Sequence, residues 1–329
     1  MGFLPPMPVA DTLQKIHQRA WVLPAIQREF VWSRDQIRRL FDSLMRGYPV
    51  GSFLLWEVDP GQVDDYTFYD FLTHYHERKN PYATKVDRPL NQGVTAVLDG
   101  QQRLTALVIG LYGSHAEKLP NKYFTNPDAY PIKRLYLNLI EPPPTADEEL
   151  GLRYNLRFLT DDEAAAQVDG IQVWFRLGDI LKLSDSGPAI MTVVGERFSD
   201  AGHIKAAFHN VFALYDAVRQ KPVVNAYLEE TTDADKVLDI FVRVNSGGTK
   251  LSNSDLLLSM ATNQFKELDA REQVRSLVAE LGETPGRFRF SKDLVLKAGL
   301  VITEAPDIRF KISNFTTANM ELLEAHVRR

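Results

Sequence analysis

The 329-residue chain contains no cysteine. That excludes disulfides, zinc–thiolate sites, iron–sulfur clusters and cysteine nucleophiles together. It also lacks any apolar run of ~18 residues, so the sequence offers nothing to span a bilayer. The opening MGFLPPMPVADTL has neither the basic start nor the long apolar stretch of a secretory signal. A basic excess is missing too. The formal charge is −5, so any contact with nucleic acid must come from a local patch. These absences lead us to expect a cytoplasmic protein.

What is present is an ordinary globular composition, 44% hydrophobic and 25% charged. Ser33 is placed to cap a helix in which Ile37, Leu40, Phe41, Leu44 and Met45 recur at helical spacing. SFLLWEV and TAVLD read as buried strands, and a helix is expected over Arg103 to Lys118. Residues 59–93 show no period and read as an excursion. RLYLNL and RYNLRFL read as further strands, whereas nearly everything after residue 188 favours helix. The chain is therefore expected to be α+β, with a small mixed sheet in residues 1–170 and a mostly helical part over 171–329. The ending EAHVRR falls inside a helical pattern and suggests a piece of a longer protein.

Three stretches carry chemistry. In VLDGQQRLTAL a strand gives way to a helix through Asp99 and Gly100, and free amides at a helix start favour anions. Gly100 permits close backbone approach, and Arg103 could fork onto phosphate oxygens. Gln101 or Gln102 could orient a water, while Asp99 could hold Mg²⁺ through water or accept a proton. An ordinary capped turn explains the same residues without a ligand. In LPAIQREFVW, Gln27 and Arg28 stand between apolar residues. In FVRVNSGGTKLSNSD, Arg243, Asn245 and Lys250 flank a turn that could face an anion, although a plain helix–turn–helix connection is equally served. GGTK is not a P-loop.

Taken with YPVGSFLLW, these segments resemble domain-of-unknown-function family 262, the N-terminal domain of GmrSD-type restriction endonucleases. Four motifs stand in the family's order over residues 23–258. The resemblance implies a ParB/sulfiredoxin-like nucleotide-binding domain followed by helices that complete the site. It also implies a role for nucleoside triphosphate hydrolysis in bacterial defence against foreign, often modified, DNA. Carried over residue by residue, the catalytic set is Asp99, Gln101, Gln102 and Arg103. Together with the reading of the residues themselves, the nucleotide-binding set is Gln27, Arg28, Gly100, Thr105, Arg243, Asn245 and Lys250, with Arg243 and Asn245 lining or bracing the site and Mg²⁺ held at Asp99. A nuclease module with clustered His and Asn ligands has no counterpart among the seven histidines.

The competing expectation is a DNA-binding or partner-docking module without catalysis, its nuclease supplied by a further domain or another chain. Residues 15–48 hold seven Lys/Arg against three acids, and Arg34, Arg38 and Arg39 could track a phosphate backbone along one helix. Self-association is left open.

Overall fold

The computed structural model describes residues 2–25, 29–80, 83–86, 93–145, 147, 151–166, 172–245, 270–283, 290–302, 321–322 and 324–325. Its strands are β1 (Gly2–Phe3), β2 (Trp21–Pro24), β3 (Ser52–Val58), β4 (Phe68–Tyr69), β5 (His74–His76), β6 (Val94–Asp99), β7 (Ser114–Ala116), β8 (Arg134–Asn138), β9 (Leu156–Leu159), β10 (Trp174–Arg176) and β11 (Asn225–Glu229). The helices are α1 (Val9–His17), α2 (Arg34–Met45), α3 (Gln101–Leu111), α4 (Asp161–Ala165), α5 (Pro188–Gly195), α6 (Ala201–Tyr215), α7 (Ala234–Asn245), α8 (Ala270–Glu283) and α9 (Lys292–Ile302).

The main sheet runs β1-β11-β3-β6-β2-β4 and is mixed. β6 lies antiparallel to β3 and parallel to β2, so the strand that leads into VLDGQQR is interior. Along β6 the pleat sends Val97 to one face and Val94, Ala96 and Leu98 to the other. On the first face, Leu13 of α1, Phe41 of α2, Leu107 of α3 and Leu214 of α6 close over the sheet. On the second face, Val237 and Phe241 of α7, Val274 of α8 and Leu296 and Leu300 of α9 do the same. The arrangement is α+β. A separate antiparallel sheet, β10-β8-β9, flanks the first face.

Local signals explain why these elements form. Ser33 caps α2 in a reciprocal box, its hydroxyl accepting from the Gln36 amide while the Gln36 side chain accepts from the Ser33 amide. Helix α3 is apolar on all sides from Leu104 to Leu111 and is buried throughout that stretch.

Three expectations need correction. The helix expected to reach Lys118 stops at Leu111, because Ser114 and His115 turn their amides to the carbonyls of Thr73 and Lys133 in β-type pairing. Residues 59–80 are not a loose excursion: Phe68, Tyr69, Phe71 and Leu72 are buried, and β4 and β5 are paired. Finally, the part expected to be mostly helical contributes a strand to the main sheet, β11, which lies between β1 and β3. The change of composition near residue 170 is thus not where the sheet ends.

Candidate functional site

The turn after β6 is held by packing on one side and hydrogen bonds on the other. Gly100 takes φ +87°, and a Cβ there would fall 2.3 Å from the Phe53 ring. Both facts demand glycine. Gln101 is buried, and its amide nitrogen donates to the Val97 carbonyl at 2.7 Å, tying the first turn of α3 to the end of β6.

The two residues that follow fasten distant segments to this turn. The Gln102 side chain accepts from the Val31 amide and donates to the Glu29 carbonyl, both at 2.9 Å. It therefore serves the backbone of REFVW as a neighbouring strand would. The Arg103 guanidinium donates to the Val50 carbonyl at 2.5 Å, the Ser52 carbonyl at 2.9 Å and the Asp99 carboxylate at 3.2 Å. It also lies over the Phe53 ring, 4.7 Å from the centroid. Gly51, at φ +82°, completes the nest, since a Cβ there would strike Arg103 at 2.3 Å. Burial pulls the Arg103 pKa below its ordinary value and the Asp99 charge opposes that shift. The motifs around residues 29–32, 48–53 and 99–105 are thus one cross-linked unit.

Some capacity remains unspent. Gly100 leaves α3 without a side-chain cap, and the amides of Gln101, Gln102 and Arg103 make no hydrogen bond to any described residue. Asp99 is 32% exposed, and among the described residues only Arg103 engages its carboxylate, through one oxygen. The edge of the turn is therefore a carboxylate beside helix-start amides carried by one buried and two half-buried residues.

The expected site residues fare unevenly. Asp99 and Gly100 stand as expected at the strand–helix junction. Gln102 and Arg103 are at the junction too, but their side chains are occupied by backbone partners, so they position the turn instead of reaching out to water or phosphate. Three bonds and a ring contact make Arg103 a support of the fold at this turn. Thr105 is 4% exposed and packed within α3, away from any open surface. Arg243 is exposed near the end of α7, the helix whose Val237 and Phe241 pack beneath Leu98 of β6. Asn245 closes that helix, and its side chain lies outside the described set. Gln27, Arg28 and Lys250 also lie outside the described residues.

The basic face expected along α2 is largely neutralised. Arg38 is 11% exposed and donates to Asp35, Asp147 and the Leu156 carbonyl. Arg34 is turned toward His115 and Glu117. Arg39 alone of the three is exposed. Sequence reasoning missed Phe53, Gly51 and the carbonyls of Val50 and Ser52. The YPVGS motif was the available signal, since a glycine after a proline turn often marks close approach. It also missed Asp42, which is 3% exposed and accepts from the Arg153 and Tyr154 amides.

Fold and site together define a strand–glycine–helix scaffold whose sequence motifs converge on one turn. The chain belongs to the family of GmrSD restriction endonuclease N-terminal domains, whose model matches residues 9–262. It is also similar to an uncharacterised protein of Methanocaldococcus jannaschii, at 25% identity over 307 residues and 89% of this chain. The chain spans about half, 49%, of that relative's length. Among the described residues no helix is long and apolar enough to cross a membrane, and no group of three or more His, Asp or Glu could hold a metal.

Proposed function

We propose that this chain is the nucleotide-binding, triphosphate-hydrolysing regulatory part of a bacterial modification-dependent restriction system. One observation carries the reading: three helix-start amides that have no partner among the described residues follow a left-handed Gly100, beside a carboxylate of which one oxygen bonds no described residue. A polyphosphate offers what those amides lack, and the helix dipole favours its charge. Asp99 fits a magnesium ion that arrives with the nucleotide, because Mg²⁺ commonly takes one or two carboxylates and draws its other ligands from phosphate and water. Such an ion would neutralise charge on the phosphates. Among the described residues of the turn, Asp99 is the acid able to accept a proton from an attacking water. Gln102 and Arg103 hold the geometry. Gln27, Arg28, Arg243, Asn245 and Lys250 remain the proposed outer contacts, and the ParB/sulfiredoxin-like character of residues 1–170 belongs to the same reading.

DNA and a nuclease domain or subunit enter as partners of the whole protein. The alternative, a DNA-binding module resting on the α2 arginines, is weakened because two of the three are committed to internal acids and carbonyls. The test is phosphate release from each of the four common triphosphates, with and without Mg²⁺, by the wild-type chain and by Asp99→Asn. Magnesium-dependent release that Asp99→Asn loses supports the proposal. No release from any triphosphate, or full release by Asp99→Asn, overturns it.

A further inference from the structure

A second site lies at the far end of α3, about 15 Å of helix away from the Gly100 turn. There a cavity of about 450 Å³ opens between α1, residues 70–74 with Asn80 and Thr84, and the last turn of α3. Its floor is apolar, formed by Leu13, Ile16, Leu72 and Val108. Its walls carry hydrogen-bonding groups of both kinds. Asp70, Thr73 and Thr84 belong to the walls, and the two threonine hydroxyls bond no described residue. The Asn80 side chain donates to the His74 carbonyl at 2.8 Å, which leaves its amide oxygen as an acceptor. The His17 and Tyr112 rings lie nearly parallel, 19° apart with centroids at 6.1 Å, along the same cavity.

Arg19 shows that the chain tolerates a cost at this place. It follows the end of α1 with φ 57°, the left-handed conformation that a helix terminus usually gives to glycine. A non-glycine residue there is strained. Its guanidinium is locked onto Asp70 by two bonds of 3.0 and 2.8 Å, on the cavity wall. The pair cancels its own charge, so the cavity does not suit a phosphate or a carboxylate. It suits a neutral, flat molecule with donors and acceptors around its edge and apolar faces.

We propose that this cavity binds one nucleobase, presented either as a free nucleoside or as a base extruded from a nucleic-acid strand. The size agrees, since small-ligand sites occupy about 300–1,000 Å³ with a few placed polar groups. The base would lie over the Leu13–Val108 floor, with its edge read by the Arg19–Asp70 pair and the two threonines. The inference stands apart from the reading of the Gly100 turn.

The test uses the full chain and two sets of probes: the nucleosides adenosine, guanosine, cytidine and thymidine, and short single-stranded homo-oligonucleotides. Nucleosides carry no phosphate for the Gly100 turn, and a loss of their binding in Arg19→Gly assigns it to this cavity. Calorimetric titrations are expected to show saturable binding of at least one probe, weakened at least tenfold by Arg19→Gly. Saturation by a nucleoside assigns the free ligand, and saturation by strands alone assigns an extruded base. Arg19→Gly relieves the left-handed strain, so its melting temperature is expected to hold or rise while affinity falls. Should that variant melt earlier, Tyr112→Leu decides: tenfold weaker binding at an unchanged melting temperature supports the site. Absence of saturation by every probe overturns the proposal, as does wild-type affinity in Arg19→Gly or, where it decides, in Tyr112→Leu.

Discussion

Replacing Gly100 by alanine is the sharpest perturbation of the turn. Two costs are separable in the structure. Holding a residue with a Cβ in the left-handed region at φ +87° costs roughly 1–2 kcal/mol. The new methyl would lie 2.3 and 2.7 Å from two carbons of the Phe53 ring, and overpacking of that kind costs about 1–3 kcal/mol. Together Gly100→Ala is expected to lose about 2–5 kcal/mol in urea denaturation followed by far-UV circular dichroism. A double-mutant cycle divides the sum. Phe53→Leu withdraws the ring and should return the packing share, giving a coupling energy of about 1–3 kcal/mol, while the conformational share persists. Two results would refute the reasoning: a Gly100→Ala protein within about 0.5 kcal/mol of wild type, or strict additivity with Phe53→Leu. The first would mean that glycine is not required there, and the second that the Phe53 ring adds nothing to its cost.

Other expectations follow from the same geometry. Arg103→Ala strips donors from the Val50 and Ser52 carbonyls, and about 2–4 kcal/mol of stability should be lost, read as a lower urea midpoint; a loss under about 0.5 kcal/mol would show that Arg103 is not the clasp between motifs. His115 is fully buried beside Arg34, and burial first, then the Arg34 charge, push its pKa from 6.5 down to about 3. The folded state therefore refuses a proton that the unfolded chain accepts below pH 6.5, so this histidine's contribution is intact above 6.5 and falls away as the pH drops toward 3. The slope is about 1.4 kcal/mol per pH unit in the middle of that window. His115→Phe should remove that slope, and parallel stability–pH curves for the two proteins between pH 6 and 4 would count against a buried neutral imidazole.

The sequence made part of this legible through local rules. Ser33 with Gln36 announced the start of α2, the apolar runs announced β3 and β6, and the glycine between Asp99 and Gln101 announced the turn. What stayed hidden is the pairing of side chains with backbone atoms far along the chain. Gln102 bonds residues 29 and 31, and Arg103 bonds residues 50 and 52. A carbonyl acceptor has no residue type, so no motif could name these partners. The same holds for Arg38, whose acid partner Asp147 is separated from it by 109 positions. The burial of Thr105 could have been foreseen, because Leu104, Ala106, Leu107, Val108 and Ile109 leave α3 no polar face. β11 was missed for another reason: five residues pairing in parallel with β3 offer too short a pattern inside a helix-rich stretch.

Amide chemical shifts of the turn under titration with a non-hydrolysable triphosphate analogue and Mg²⁺ test the central claim most directly. The account predicts saturable shifts centred on Gly100, Gln101, Gln102 and Arg103, diminished in Asp99→Asn. Unmoved resonances at those four residues in the presence of saturating analogue would contradict it.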